Sequence, residues 1–446
     1  MYGLLKSALL FYRRLVGDLL ENGFVLNPYD PCVANKMING KQMTVIWHVD
    51  DLKVTHVDQK EVVGFGEWLS EKYGKKVTGH CGKVHDYLGM IFDYTQDGKV
   101  LVNQIEYIKS IIEDFPEEIK RTRTTPAADY LFTVRDESEA KKLPEEQAVY
   151  FHHAVAQLNY LATGARRDIH PCVAFLTTRV RNPDEDDWGK LRRLLEYLKG
   201  TLHMPLILSA DSLALCRWWV DASFAVHEDM KGHTGAGMSF GQGMVLGYSW
   251  KHKNTAKSST ESEIYGVDDT LGHILWTRYF MQEQGYVMEP SLIYQDNMSA
   301  ILLENNGKLS SSKRTRHIKI KYYHMKEKKD DGEISFEHCP TEQMWADINT
   351  KPKQGAAFRE FRGHVMGIPV DYNDDDYKDT VPSMVSKSML PMTRAQLKAQ
   401  VASKECVVGV TVGSSLKSKV PDKNRKVSWS GDIRSRLGVQ PKHVCS

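Results

Sequence analysis

A chain of 446 residues is too long for one hydrophobic core, so two or three domains are expected. Hydrophobic residues make up 41% and charged residues 26%, as in ordinary globular proteins, and no apolar run approaches the roughly 20 residues that cross a bilayer. The net charge of +2 hides a division: from Val381 onward twelve Lys/Arg face three acids, giving +9 and leaving −7 for the rest. Any affinity of the folded part for nucleic acid must therefore come from local patches. Seven scattered cysteines without a Cys-x-x-Cys pair argue against a disulfide framework or a zinc site, and for a reducing, intracellular setting.

Leu5, Leu9, Tyr12, Val16 and Leu19 recur at helical spacing and predict an amphipathic helix over residues 2–22. Asn39-Gly40 suits a tight hairpin turn between strands Cys32 to Ile38 and Met43 to Trp47. The second strand runs into His48-Val49-Asp50-Asp51 and resumes at Leu52-Lys53-Val54. A helix over 60–73 stops near Gly74, Tyr87 to Tyr94 is expected to form a hairpin turning at Gln96-Asp97-Gly98, and a helix surrounds Tyr107 to Phe115. From Glu145 to Thr201 the pattern is helical, with Trp188, Leu191, Leu194, Leu195 and Leu198 on one stripe.

Near Ser209 the period becomes strand-like. Strands are expected over 213–225, 233–240 and 243–251, then a helix from Ser259 to about Gln284, a strand at 290–295 and a helix at 298–305. A basic helix at 317–329, a strand at 333–338 and a helix from Thr341 follow. Three antiparallel strands and then alternating helices and strands describe a mixed sheet with helices on its faces, so the fold class is α/β. Beyond Tyr372 comes Asp374-Asp375-Asp376, then a Ser/Lys/Val-rich stretch with weak periodicity that reads as mostly disordered.

Four widely spaced carboxylates sit in sequence that predicts partial burial: Asp221 after Trp218-Trp219-Val220, Glu263 before Ile264-Tyr265, Asp296 after Leu292-Ile293-Tyr294, and Asp347 after Trp345-Ala346. A charge at the edge of an apolar core is costly unless neutralised. If the four converge, a pair of Mg²⁺ ions (Mn²⁺ is an alternative) neutralises them, and such a pair is a phosphodiester-cleaving device. Glu261 competes with Glu263 on the same helix. The apolar stripe Ile264, Val267, Leu271, Ile274/Leu275 lies closer to Glu263, which leaves Glu261 to support the helix N-terminus.

The basic segment Lys308 to Lys329 includes Lys313, Arg314, Arg316, His317 and Lys319, either a solvated helical face or a clamp on nucleic-acid phosphates. Gly235, Gly237 and Gly241 precede no helix start, so they belong to a strand and hairpin turn, not a phosphate loop.

Several motifs in order resemble the end of a copia-type retrotransposon polyprotein over roughly residues 1–368. Residues 2–12 with Tyr29-Asp30-Pro31-Cys32 resemble the late palm of its reverse transcriptase, and His48-Val49-Asp50-Asp51 resembles its polymerase signature, with His48 in place of the usual aromatic residue. Tyr87-Leu88-Gly89-Met90 resembles the primer-contacting hairpin, and Gln157-Leu158-Asn159-Tyr160-Leu161-Ala162 the connection that follows. Ser258-Ser259-Thr260-Glu261-Ser262-Glu263, Asp296-Asn297-Met298-Ser299-Ala300 and Ala346-Asp347-Ile348-Asn349-Thr350-Lys351-Pro352 resemble its ribonuclease H domain.

The resemblance implies a truncated reverse transcriptase palm and thumb over 1–125, a helical connection over 126–208, a ribonuclease H-like five-stranded mixed sheet with flanking helices over 209–368, and a basic tail over 369–446. It implies Asp221 mid-way along the first strand of that sheet, Asp296 at the end of the fourth, Glu263 in the first long helix and Asp347 in the last. These four would hold two metal ions, and Asp50 and Asp51 would belong to a polymerase metal site.

Two-metal nucleotidyl transfer needs a third carboxylate from a palm strand upstream of these motifs, so polymerase activity is expected only if that strand is supplied in trans. The implied activity is Mg²⁺-dependent cleavage of the RNA strand of RNA–DNA hybrids. The alternative is an inactive relic that binds nucleic acid. The implied partners are the hybrid, a primer–template and other products of the polyprotein, in the cytoplasm or nucleus and away from membranes.

Overall fold

The computed structural model describes residues 5–74, 77–136, 138–307, 316–382 and 408–414. The chain opens with helix α1 (Leu5–Glu21), which buries Leu15 and Leu19 while Leu9 of the expected stripe stays exposed. Strands β1 (Val25–Asn27), β2 (Asp30–Ile38), β3 (Lys41–His48) and β4 (Asp51–His56) form an antiparallel meander, followed by α2 (Gln59–Tyr73) and β5 (Val77–Gly82). The β2–β3 turn falls at Asn39-Gly40 as expected, with φ of +51° and +72° at the two residues, the left-handed geometry that Asn and Gly tolerate.

Strands β6 (Val84–Tyr87) and β7 (Met90–Asp93) turn tightly at Leu88-Gly89, where φ is +54° and +69°. The single expected strand from Tyr87 to Tyr94 is thus split by a turn that Gly89 makes possible. Next come β8 (Val100–Asn103), α3 (Ile105–Glu113), α4 (Glu145–Gly164), α5 (His170–Arg179), α6 (Glu185–Lys199) and β9 (Leu206–Ala210).

Strands β6 to β8 join β9 in one sheet, and a single core runs from Leu101 through Leu158 and Leu194 to Phe358 and Ile368. This core takes residues from both sides of positions 125 and 208, and the strand period cannot reveal which distant strand will pair. Arg166 and Asp168 are buried in it as an ion pair (Nη2–Oδ2 2.8 Å), with the Tyr197 hydroxyl donating to Asp168 at 2.5 Å and Arg166 also donating to Thr201.

Apart from β12 (Gly241–Gln242), which pairs with β9, the third unit contains β10 (Arg217–Ser223), β11 (His233–Ser239), β13 (Leu246–Lys251), α7 (Ser259–Glu283), β14 (Ser291–Gln295), α8 (Met298–Asn306), α9 (Lys319–Asp330), β15 (Ile334–His338), α10 (Asp347–Thr350) and α11 (Gly355–Met366). Its sheet has the order β13-β11-β10-β14-β15, antiparallel on one side of β10 and parallel on the other, the mixed α/β sheet expected. Ile264, Val267, Leu271 and Ile274 of α7 are buried against it, so the stripe read from the sequence is the packed face.

Two expectations need correction. The long helix from Thr341 is broken: Met344 leaves the helical region at ψ 84°, and only the single turn α10 follows. Trp345 stacks between Trp219 (centroids 4.0 Å apart) and His364 (5.0 Å), and that packing outweighs local helix propensity. Parts of the stretch expected to be mostly disordered are ordered. Val381 is buried, Asp374 pairs with His203 at 2.8 Å, and Val408–Ser414 form a strand, β16, antiparallel to both β4 and β5. The rest of the expected tail, including the basic run Lys423 to Lys426, lies outside the described residues.

Candidate metal centre

The register of β10 on β14 pairs Trp218 with Ile293 and Trp219 with Tyr294, and its continuation sets Asp221 beside Asp296. Asn297 then caps α8, its Oδ1 accepting from Ser299 and Ala300 backbone N–H groups at 3.0 and 3.1 Å. The Asp-Asn pair thus ends a strand on an acid and starts a helix.

Glu263 reaches the same point from α7, whose N-terminus is capped by Ser258. The helix can lie close on β10 because residue 266 is glycine: a Cβ there would stand 3.3 Å from the Ala222 Cβ. One oxygen or more from each of Asp221, Glu263 and Asp296 falls within 4.8 Å of the others, and this is the one group of three or more His, Cys, Asp or Glu so placed among the described residues.

Asp347 arrives by a different route. Gly235 pairs with Asp221 across β10–β11, and a Cβ at Gly235 would come within 2.8 Å of Thr350, the Ala346 carbonyl and Asn349. Glycine there opens the space that α10 fills. Asn349 donates to the Ala236 carbonyl at 3.0 Å, Ser249 Oγ donates to the Asn349 carbonyl at 2.7 Å, and Ser223 Oγ donates to the Thr350 carbonyl at 3.3 Å. Thr350 Oγ1 hydrogen-bonds Asp221 Oδ2, Lys351 pairs with Asp347 Oδ1 and stands 3.4 Å from Asp221 Oδ2, and Lys353 reaches Asp347 Oδ2 at 2.5 Å. Asp347 therefore abuts Asp221 but stands outside the three-acid group, both its oxygens engaged by lysines.

Burial pushes the Asp221 carboxyl up to about 6, against the pull of Lys351 and with Asp347 adding to the rise. Glu263 is held well above the usual carboxylate range by burial and by the charges of Asp221 and Asp296. Burial also works on Asp347, but Lys351 and Lys353 outweigh it and hold that carboxyl low. Behind Glu263, on α8, Glu304 is fully buried with neither oxygen hydrogen-bonded, and burial pushes it up to about 8. Beside Glu263, the Gln295 Nε2 donates to Oε2 at 3.5 Å while the buried Gln295 Oε1 accepts nothing. The three converging carboxylates form a hard, oxygen-only donor set of the kind that suits a hard divalent cation.

The chain is similar to the retrovirus-related Pol polyprotein from transposon TNT 1-94 of Nicotiana tabacum, 26% identical over 362 residues, or 79% of this chain and 26% of that protein. It is also similar to those from transposons RE2 and RE1 of Arabidopsis thaliana, 26% identical over 372 residues and 27% over 367. These alignments cover 83% and 82% of this chain, and 25% and 24% of those proteins. The proteins it resembles are Pol polyproteins of copia-type retrotransposons, and the chain is consistent with a fragment of such a polyprotein. It spans about a quarter of the length of the curated relatives it matches. No protein-family model matches it.

The other residues singled out in this Pol-related chain are not gathered at the acid cluster. Glu261 turns aside: His317 Nε2 lies 3.0 Å from its carboxylate, the Tyr265 hydroxyl donates to it at 2.6 Å and the Lys257 N–H at 3.1 Å. The bond from Lys257 gives it the helix-start role expected. Lys319 begins α9, Tyr322 is buried, and Lys321 pairs with Asp268. Lys313 and Arg314 lie outside the described residues, as does the Arg316 side chain.

Asp50 and Asp51 sit where β3 turns into β4, with Val49 at φ +56°. Burial and the charge of Asp50 raise Asp51, whose charge in turn is felt by Asp86 at the end of the β6–β7 hairpin. Sequence reasoning missed Thr350, Lys351, Lys353, Gln295 and Glu304. The signal available was the spacing of Lys351 four residues after Asp347, which places both on one helical face.

Proposed function

We propose that the chain is a Mg²⁺-dependent ribonuclease H that cuts the RNA strand of RNA–DNA hybrids, carried on a reverse-transcriptase-like segment. The observation that carries this reading is the meeting of Asp221, Glu263 and Asp296, from three segments distant in sequence, within 4.8 Å. Similarity to Pol polyproteins supports it by implying enzymatic domains.

Asp221, Glu263 and Asp296 would hold the metal, with Asp347 beside Asp221. When bound, divalent ions activate a water and stabilise the leaving oxygen of a phosphodiester. The chain's own part is to fix the acids on a rigid sheet: β10 and β14 orient Asp221 and Asp296, α7 brings Glu263, and the Thr350 hydroxyl holds Asp221. Selectivity for hybrid would come from 2′-hydroxyl contacts on one strand. Partners in keeping with this reading are the hybrid itself and other products of the same polyprotein, inside the cell.

The test is cleavage of an end-labelled RNA–DNA hybrid by purified protein in Mg²⁺ and in chelator, beside Asp296→Asn. Cleavage should need the metal and fall by about a thousandfold or more in the variant, as expected when charge stabilisation at the reacting phosphate is lost. Hybrid binding without cleavage in the wild type would identify a relic, and cleavage undiminished in Asp296→Asn would place the chemistry elsewhere.

A further inference from the structure

The acids differ in what already neutralises them. Asp221, Glu263 and Asp296 face one another with no lysine or arginine at hydrogen-bond distance from Glu263 or Asp296 among the described residues, whereas Asp347 is gripped by two ammonium groups. Lys351 is the informative one, because its Nζ pairs with Asp347 and lies 3.4 Å from Asp221 Oδ2, spanning the two carboxylates. A second divalent ion at this centre would be held by the same two carboxylates, Asp221 and Asp347. Resting on the metal-dependent reading above, we propose that Lys351 is a built-in cation that occupies the second metal position, so the resting chain takes one divalent ion and admits another only when Lys351 withdraws.

The physical case has three parts. The side chains of Asp221 and Asp347 are 2% and 1% exposed, so an uncompensated charge on either is strongly disfavoured and a cation between them is favoured. Lys351 is held at that point by the backbone: its N–H donates to the Asp347 carbonyl at 3.1 Å, and α10 is seated in the space left by Gly235. Its own side chain is 42% exposed, so the ammonium can move into water along its flexible stem without unfolding anything. An ammonium and a divalent ion on the same two carboxylates repel at short range, so the two occupancies exclude each other. Lys353 holds only Asp347, which keeps that carboxylate in place while Lys351 exchanges.

The experiment is Mn²⁺ titration of the full chain, without nucleic acid, reading free Mn²⁺ by electron paramagnetic resonance. Wild type should bind one ion, with the second weaker by about ten- to a hundredfold, the usual scale of effects from groups that contact metal ligands. Lys351→Met should bring the second affinity up by a similar factor, and Lys351→Arg should behave as wild type. Thermal unfolding gives a second readout: metal-free Lys351→Met should melt below wild type and gain more from Mn²⁺.

Two ions of equal affinity in the wild type, or one ion in both wild type and Lys351→Met, would overturn the proposal while leaving the metal-dependent reading intact. No Mn²⁺ binding by either protein would remove that reading as well. If Lys351→Met does not fold without metal, Lys351→Gln prepared in Mn²⁺ carries the same comparison, and the inequality of the wild-type sites is measured regardless.

Discussion

Glu263 shows how a residue can be well placed for function and costly for folding. Its carboxyl is buried and faces Asp221 and Asp296, so in the metal-free chain it is pushed well above its ordinary range, and Asp221 to about 6. A carboxyl whose folded value is raised contributes stability that is fully present below its unfolded value near 4 and is lost as pH rises through the folded value. Metal-free protein should therefore melt at progressively lower temperature as pH rises from about 4 through 6 and beyond. The slope should be shallower in Glu263→Gln, whose midpoint at pH 8 should lie above wild type by about 2–4 °C for each kcal/mol relieved. Mg²⁺ affinity should climb over the same interval, because binding displaces protons from these acids. A flat wild-type profile in chelator would show that the acids do not feel one another.

At the scale of elements, the site depends on two close approaches that glycine permits. In Gly235→Ala the new methyl would meet Thr350, the Ala346 carbonyl and Asn349 within 2.8 Å. All three are fixed backbone or short side chains, so α10 must shift. The expected cost is about 1–3 kcal/mol, measured by denaturant unfolding, with hybrid cleavage reduced further than stability alone explains. A variant with full stability and full cleavage would show that α10 tolerates displacement.

The helical body depends on a different device. Arg166 and Asp168 are both essentially sealed from solvent and share Thr201 and Tyr197 as hydrogen-bond partners. Asp168→Asn leaves a buried guanidinium without its counter-charge and should destabilise the chain by about 3–5 kcal/mol, read from the urea midpoint. A loss below 1 kcal/mol would mean that water replaces the carboxylate.

At the scale of the whole molecule, the tail returns to the first sheet. Strand β16 separates β4 from β5 and pairs with both, so Val408–Ser414 close a sheet whose other strands end more than 300 residues earlier. Truncation after residue 382 should speed hydrogen exchange at 51–56 and 77–82, which lose ladder partners, and leave 217–223 unchanged. Equal protection with and without the tail would show that β4 and β5 hold without it. The two larger bodies also touch directly: the Trp276 indole donates to the Tyr29 carbonyl at 2.9 Å, and Asn27 Nδ2 donates to the Phe280 carbonyl at 3.2 Å. These contacts join the meander carrying Asp50 and Asp51 to the far end of the helix that carries Glu263.

The sequence by itself determined what depends on neighbours along the chain. The α7 stripe chose Glu263 over Glu261, Asn39-Gly40 set a turn, and the period marked a strand at 290–295 running into a helix at 298–305, because periodicity and backbone propensity act within a few residues. Only the tertiary structure decided what depends on packing across the sheet. Trp345 stacked on Trp219 breaks the helix expected from Thr341. Gly235 admits α10, and Lys351 and Lys353 are thereby delivered onto Asp347. Strands β6 to β8 join β9, and the tail strand reaches β4 and β5. Each of these outcomes is a contact between segments far apart in the chain, whose energy comes from burial and charge pairing that exist only once both surfaces are in place.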